Sequence, residues 1–163
     1  KMISGMYLGE LARIAIGKLY DLGEIELEKS SLRRIGGLHT SQLSALETAK
    51  GEKYSEIIEK TGLSGIREED LPAVAAISRA VVTRAAKISA ACLAAVIMKM
   101  DPQIARKHTI AVDGALYEKH PGFSRTLKSS LKNLLGKNSS GVKIRKTADG
   151  SGIGVAVIAA ASR

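Results

Sequence analysis

Two glycine-containing turns carry the residue types best suited to binding a phosphate group or a nucleotide. Asp113-Gly114 follows an apolar run, and Asp149-Gly150-Ser151-Gly152 lies within the stretch TADGSGIGVAV (147–157). Glycine permits positive φ and close backbone approach, and a helix that starts at such a turn offers unpaired N–H groups and a partial positive charge. The second turn matches neither G-x-G-x-x-G nor G-x-x-x-x-G-K-[ST]. Glycines that serve only packing and turn geometry therefore explain it at least as well.

Other reactive side chains are scattered along the sequence. The three histidines, His39, His108 and His120, are far apart and lack the spacing of metal ligands, and no nucleophile elbow occurs. Cys92 is the only cysteine, which excludes an intrachain disulfide and a multi-cysteine zinc site. Its apolar context, SAACLAAV, predicts a buried and inert thiol. The sequence therefore predicts neither a metal centre nor a catalytic triad.

The elements that must position the two turns follow from hydrophobic periodicity. The spacing predicts a helix over 2–20, a short helix from Thr40, another in YSEIIEKT, and a long Ala-rich helix from near Asp70 to about Met100. In the long helix we expect an inward stripe, which consists of Val74, Ile77, Val81, Ala85, Ile88, Cys92 and Ala95.

The hydrophobic pattern changes in the final third of the chain. It predicts a strand at 108–112, an amphipathic helix in GFSRTLKSSLKNLLG with Phe123, Leu127, Leu131, Leu134 and Leu135 inward, a strand in VKIRKT, and a last helix in GSGIGVAVIAAAS. This order is typical of an α/β layer with a parallel sheet. Both glycine turns would then lie at the carboxyl ends of neighbouring strands, where ligands bind.

Length and composition limit the organisation of the chain. With 163 residues, 45% of them hydrophobic, it suits one modest core, and we predict a single partial domain over 1–163 that is mainly helical over 1–100 and strand–helix–strand–helix over 101–163. The longest uncharged runs, 88–98 and 150–162, are shorter than a bilayer requires, and no signal peptide precedes the first helix. Because the chain begins with Lys1, we expect it to be part of a longer protein.

The net charge of +9 is unevenly distributed. Residues 99–146 contain eleven Lys or Arg against three acids, whereas residues 1–98 contain thirteen against twelve. A basic region suggests nucleic acid, but it also fits a solvated face beside a site for a small anion. The chain has only five aromatic residues and no nucleic-acid-binding motif, so we expect no nucleic-acid partner.

Four stretches, in order, resemble the eukaryotic hexokinase family. KMISGMYLGELAR looks like the segment after its sugar-binding glutamate, and VVTRAAKISAACLAAVI looks like its long Ala-rich helix. IAVDGALYEKHPGF resembles its adenosine-binding turn, and ADGSGIGVAVIAA resembles its second connecting segment. LKSSLKNLLG and the Met of SGMYLGE are similar to plant and fungal members. The resemblance covers most of this chain but only the C-terminal part of a family catalytic unit.

The resemblance implies an actin-like ATPase (ribonuclease H-like) α/β fold, of which this chain is the helix-rich C-terminal part of the large domain. It also implies that ATP with Mg²⁺ donates its γ-phosphoryl group to the 6-hydroxyl of a hexose such as glucose, at the entry to glycolysis. The implied nucleotide-binding residues are Gly5, Met6, Thr40, Ser44, Asp113, Gly114, Ala115, Leu116, Gly150 and Ser151. Many members carry Ser or Thr where Ala115 stands.

The family's catalytic aspartate and sugar-binding residues would all precede Lys1, so the resemblance assigns no catalytic, sugar-binding or metal-binding residue to this chain. Mg²⁺ would be held mainly by the nucleotide and by upstream residues. We therefore expect these 163 residues alone not to phosphorylate glucose. The resemblance favours a cytoplasmic protein, with organelle-surface association through missing segments, and leaves the oligomeric state open. Two alternatives remain: a basic module for nucleic acid or an acidic partner, and a hexokinase-like protein without turnover.

Overall fold

A computed structural model describes residues 2–33, 37–48, 54–147 and 150–161. The helices and strands are α1 (Gly5–Asp21), α2 (Ser30–Arg33), α3 (Thr40–Thr48), α4 (Tyr54–Thr61), α5 (Leu71–Met100), β1 (His108–Val112), α6 (Ala115–Lys119), α7 (Pro121–Leu135), β2 (Val142–Lys146) and α8 (Gly150–Ala161). Short 3₁₀ turns cover Glu68–Asp70 and Gly136–Gly141. The predicted longer helices and both strands of the final third are present in the predicted order, whereas α2 and α6 were not predicted and residues 25–27, which could have held a short strand, form none.

Helix α5 is the centre of the helical part and packs against α7, α3 and α1. Pro72 lies in its first turn, where the missing N–H costs no hydrogen bond. Its buried residues are Val74, Ser78, Val82, Ala85, Ala86, Ala90, Ala94 and Ile97. Most of these are small, so the neighbouring helices can lie close to the α5 backbone.

The predicted inward stripe of α5 was partly wrong, and so was the prediction for Cys92. The buried face is rotated by about one residue, so that Ile77 and Val81 flank the core while Ser78 and Val82 are fully or almost fully buried. Cys92 is exposed. The helix is apolar almost all round, so periodicity could not identify the buried face. The close fit of its alanine and serine residues against neighbouring helices determined which face is buried.

One helical stretch of the described residues, Glu68–Met100, is long and apolar enough to cross a membrane by length and composition. The sequence prediction missed it because charged residues interrupt its apolar runs. In this fold the stretch contains α5, which packs against three other helices, and the core helix of a globular fold meets the same criteria. The finding is therefore weak evidence for a membrane span.

Strands β1 and β2 pair in parallel, with Ile110 opposite Ile144. The helices α6 and α7 connect the two strands and provide the long crossover that a parallel pair requires. Phe123, Leu127, Leu131 and Leu135 of α7 are buried, whereas Leu134, which we expected to face inward, is exposed. The carboxyl ends of both strands lie at one edge of the sheet, so the β1–α6 turn and the start of α8 follow from the same edge.

Helix α8 presents apolar side chains to solvent in this chain. Val155, Val157 and Ile158 are 67%, 61% and 70% exposed. A surface of this kind on a monomer usually marks a contact with another segment or protein.

Asp101 joins the end of α5 to the start of β1. Its carboxylate accepts hydrogen bonds from the N–H groups of Ala105 and Arg106, at 3.1 and 3.0 Å, and lies 2.9 Å from Nε2 of His108. The hydrogen bond from His108 and those from the two backbone groups lower the pKa of Asp101 to about 2. These hydrogen bonds therefore stabilise the ionised form of Asp101 relative to its protonated form.

Replacement of Asp101 tests this connection. A lowered folded-state pKa stabilises the fold above the ordinary value of 3.8, and this contribution is lost as the pH falls toward about 2. We expect Asp101→Asn in the complete protein to lower the unfolding midpoint at neutral pH, by an amount that shrinks between pH 4 and pH 3. The exposed Glu24→Gln is the control and should change little. A pH-independent loss for Asp101→Asn would contradict the electrostatic explanation.

Candidate functional site

A cavity of about 630 Å³ opens where α1, α3 and the β1–α6 turn meet. Its described lining consists of Gly5, Met6, Thr40, Ser41, Ser44, Gly114, Ala115, Leu116, Lys119 and His120. We call it the α1–α3 cavity. Its volume lies within the range typical of small-ligand sites.

Close backbone contact between α1 and the residues that precede α3 holds together the two helices that line one side of the cavity. A Cβ atom on Gly9 would lie only 1.9 Å from the carbonyl oxygen of Leu38, so the approach requires glycine. The hydroxyl of Thr40 donates a hydrogen bond to the carbonyl oxygen of Gly5. Thr40 therefore joins the start of α3 to the start of α1, and part of its hydrogen-bonding capacity is used in holding the cavity together.

Gly114 shapes the opposite wall. Its φ of 147° and ψ of 138° belong to a region that L-residues with a side chain rarely adopt. Apart from its chain neighbours, no atom of the described residues lies within 4 Å of the position that its Cβ would occupy, so this part of the wall is open. The Gly114 carbonyl accepts a hydrogen bond from the N–H of Glu118 at 3.2 Å, and the Glu118 carboxylate lies 3.3 Å from Nζ of Lys146. These contacts join α6 to the end of β2.

Seven of the residues that the sequence nominated line this one cavity: Gly5, Met6, Thr40, Ser44, Gly114, Ala115 and Leu116. They come from three segments that are distant in sequence. Asp113 is exposed and is not part of the lining. Gly150 and Ser151 begin α8, but the surroundings of these two residues lie outside the described part of the structure, as does the whole of Asp149.

Three lining residues were not predicted from the sequence: Ser41, Lys119 and His120. Ser41 follows Thr40 in the first turn of α3, and that position was a usable signal because hydroxyls are frequent at helix starts. Lys119 ends α6 and His120 follows it, and only the tertiary structure brings both residues to a cavity shared with α1 and α3.

The charge around the cavity favours an anionic ligand. Its described lining includes three hydroxyl side chains and Lys119 but no carboxylate. The N-terminus of α3 also lies at the wall, and the unpaired N–H groups of a helix start carry partial positive charge. Ala115 and Leu116 add apolar lining to the same cavity. Hydroxyl and cationic groups beside apolar lining suit a ligand such as a nucleotide, which has charged phosphates and a flat base.

His120 extends the cavity wall toward a buried carboxylate. Its Nδ1 accepts a hydrogen bond from the N–H of Phe123 at 3.4 Å and so caps α7. Its Nε2 lies 3.7 Å from Oε1 of Glu47, and neither of these two buried atoms has a hydrogen-bond partner in the structure. Burial raises the pKa of Glu47, against the opposing field of Arg79, and burial lowers the pKa of His120.

Glu47→Gln should therefore stabilise the protein at neutral pH. A raised folded-state pKa means that Glu47 favours folding below its ordinary value of 4.5, and this contribution is lost as the pH rises through the folded value. The glutamine carries no charge to desolvate, so we expect a higher unfolding midpoint than wild type at pH 7 and convergence near pH 4.5. His120 behaves oppositely, because its lowered pKa costs stability as the pH falls below 6.5.

The matched control for Glu47→Gln is Glu59→Gln on the exposed face of α4, which should leave the midpoint unchanged. Thermal unfolding of the complete protein at several pH values measures both. A lower midpoint for Glu47→Gln at pH 7 would show that the carboxylate is stabilised by its surroundings and would contradict our interpretation of the pair.

No group of three or more His, Cys, Asp or Glu side chains that could hold a metal occurs in the part of the chain that the structure describes. The cavity itself offers hydroxyl groups, a lysine and a histidine, which are poor ligands for Mg²⁺. A metal at this site would therefore have to be brought by its ligand or be held by other segments.

Comparison with known proteins gives a consistent result. A sequence model of the family described as Hexokinase matches residues 1–161. Hexokinase-2 of Rattus norvegicus is 35% identical over 167 residues, which cover 98% of this chain and 18% of the rat protein. Hexokinase-1 of Arabidopsis thaliana is 34% identical over 176 residues, which cover 98% of this chain and 35% of the plant protein.

Solved structures agree with the sequences. A crystal structure of a hexokinase superposes with a TM-score of 0.74 at 26% identity, covering 93% of this chain and 34% of that one. The hexokinase from Schistosoma mansoni, solved in complex with glucose, has the same TM-score and identity and covers 89% of this chain and 33% of its own. The chain thus spans at most about a third of the length of these relatives.

Proposed function

Because the chain belongs to the hexokinase family, we propose that it forms the ATP-binding portion of a hexose 6-phosphotransferase. In the complete protein the γ-phosphoryl group of ATP would move to the 6-hydroxyl of a hexose such as glucose, the first step of glycolysis. The observation that carries this proposal is the convergence of seven nominated residues, from three distant segments, on the α1–α3 cavity.

The fold is that of the C-terminal portion of an actin-like ATPase, as expected from the resemblance. We propose that residues 1–163 form one partial domain, with the helical layer over 1–100 and the nucleotide-facing strands and helices over 101–163. The exposed apolar side chains of α8 agree with a larger protein in which further segments cover them.

We assign roles to the cavity residues from their positions. Gly114, Ala115 and Leu116 would hold the adenosine, because they form the apolar wall at the end of β1. Thr40 and Ser44 would flank the ribose and phosphates at the start of α3, beside Gly5 and Met6. Lys119 adds a cation at the rim. Ala115 offers no hydroxyl, so the nucleotide would depend more on backbone groups here.

Asp113, Gly150 and Ser151 remain part of the proposed site in a secondary role. Asp113 would hold the β1–α6 turn in shape, since it precedes Gly114 without lining the cavity. Gly150 and Ser151 would approach the nucleotide at the N-terminal edge of α8, which follows β2 from the same edge of the sheet.

Phosphoryl transfer depends on positioning and charge stabilisation, and Mg²⁺ on the nucleotide supplies much of the latter. The described residues fit a nucleotide but do not fit a protein-held Mg²⁺, since they include no cluster of candidate metal ligands. We infer that this chain binds and orients the nucleotide, while the acceptor hexose, its general base and the remaining metal contacts belong to segments outside it. The 163 residues alone should then be inactive.

The direct test is a kinase assay on the complete protein with glucose and MgATP, with the product examined by ³¹P NMR. We expect glucose 6-phosphate from the complete protein and none from the chain of 163 residues. Binding of a fluorescent ATP analogue that requires Mg²⁺ and changes little with salt would support the site. Salt-sensitive binding of duplex DNA without ATP binding would instead support the basic-module alternative.

A complete protein that binds ATP without phosphorylating any hexose would support the alternative of a relative that has lost turnover. For localisation we propose the cytoplasm, although similar proteins differ: Hexokinase-4 of Oryza sativa, 30% identical over 174 residues, is named as chloroplastic.

A further inference from the structure

A second concave surface lies between α7 and β2 and shares no described lining residue with the α1–α3 cavity. It encloses about 620 Å³. We call it the β2 groove. Its lining consists of Lys128, Leu131, Lys132, Leu135, Ser139, Ser140, Val142, Lys143, Ile144 and Arg145.

The β2 groove combines a cationic rim with an apolar floor. Four of its ten lining residues are Lys or Arg and none is acidic. Lys143 and Arg145 are exposed and form no ion pair with an acid in the part of the chain described. Leu131 and Leu135 are buried beneath the rim. A partner must therefore offer negative charge together with apolar side chains, which distinguishes it from an inorganic anion.

The strand that forms one side of the groove has unpaired backbone groups. Within the described residues β2 pairs with β1 alone. The N–H of Thr147 donates to the carbonyl of Val112 at 3.0 Å. Because backbone groups alternate along a strand, the N–H and C=O groups of Ile144 and Lys146 point away from β1, toward the groove. They can accept a further strand.

Side chains indicate that β2 is also an edge of the sheet in the complete protein. On the face of the sheet away from α7, β1 carries the small Thr109 and Ala111, whereas β2 carries Lys143 and Arg145. Two paired strands are marginal alone, so the sheet must continue. The small side chains favour continuation beyond β1, and charged side chains are typical of natural edge strands.

We propose that the β2 groove binds an extended acidic segment of a partner protein, which adds to β2 as a further strand. Lysine and arginine on an edge strand repel a second copy of the same strand, but they attract a strand that carries Asp or Glu at alternate positions. The intervening apolar side chains would contact Leu131 and Leu135. Backbone hydrogen bonds then supply affinity, and the alternating side chains supply selectivity.

The probe is a fluorescein-labelled nonapeptide with alternating Glu and Val, measured by anisotropy on the complete protein. Lys143→Glu/Arg145→Glu should weaken its binding about tenfold or more, because both cations face the acidic side chains. The matched control, Lys29→Glu/Lys107→Glu, makes the same charge change at exposed residues outside the groove and should bind like wild type. Circular dichroism confirms folding of both variants.

Two further ligands separate the proposal from its competitors. A nonapeptide in which proline replaces each Val keeps the same charge but loses strand N–H donors and the extended strand geometry, and it should bind at least about tenfold more weakly. Equal binding of the two peptides would overturn strand addition. Failure of the alternating peptide to bind, equal loss in the control variant, or stronger binding of duplex DNA or phosphatidylserine vesicles would each overturn the proposal. So would self-association through β2 in sedimentation. Glucose phosphorylation plays no part in these outcomes.

Discussion

Gly9→Ala is expected to destabilise the complete protein by about 2 kcal/mol or more, because the added methyl group meets backbone that cannot move aside. The methyl carbon would lie 1.9 Å from the carbonyl oxygen and 2.8 Å from the carbonyl carbon of Leu38, and 3.0 Å from the carbonyl carbon of His39. Relief of the clash requires α1 to move away from the start of α3. That movement would also separate Thr40 from the Gly5 carbonyl and open the α1–α3 cavity.

The same helix supplies a matched control. Gly17 also lies within α1, but a Cβ atom there would be 3.8 Å from Cδ1 of Leu32, an ordinary contact. Gly17→Ala should therefore be neutral or stabilise by up to about 1 kcal/mol through helix propensity. Urea unfolding measures both variants. If Gly9→Ala were as stable as Gly17→Ala, the close approach of α1 to Leu38 would be wrong.

Gly114→Val is expected to raise the KM for ATP about tenfold or more while the KM for glucose changes little. A valine residue rarely adopts the φ of 147° found at this position. The backbone of the β1–α6 turn must therefore adopt a different conformation. Its side chain also adds bulk to the wall that we assign to adenosine. Because we propose that other segments hold the hexose, we expect the effect to be confined to the nucleotide.

The control for Gly114→Val is another glycine with positive φ and open space around its Cβ position. Gly23 has a φ of 73°, and among the described residues no atom beyond its chain neighbours lies within 4 Å of that position. It is not part of the described cavity lining. Gly23→Val should lower the unfolding midpoint and leave both KM values unchanged. Steady-state kinetics with each substrate varied in turn separate the two variants. An equal rise in both KM values for Gly114→Val, with normal unfolding, would contradict the assignment of this turn to ATP.

Local sequence predicted most helices and both strands because their signals act within a few residues. Pro72 and Asp101-Pro102 mark the ends of the long helix, and alternating residues mark the strand from Val142. The same local signals did not predict which face of α5 is buried. Its residues are apolar almost all round, so only the shapes of the neighbouring helices selected Ser78 and Ala86 for burial and left Cys92 exposed.

The candidate site was only partly predictable. Resemblance to a family nominated residues one stretch at a time, and seven of them line a single cavity. The places of Lys119 and His120 in its lining depend on how the segment after β1 meets α1 and α3, and no local pattern encodes that arrangement. The pairing of His120 with Glu47, 73 positions earlier in the sequence, likewise exists only once the helices pack.

The sequence by itself determined the longer helices and both strands, the glycine turn after β1 and the family, because each depends on residue type at short spacing. Tertiary structure alone placed Gly114 beside residues of α1 and α3 in one cavity and left the described apolar side chains of α8 exposed. It also decided that Gly9 must be glycine and that four scattered cations share one groove beside a strand edge. These properties depend on distances between segments, which packing sets and local sequence does not.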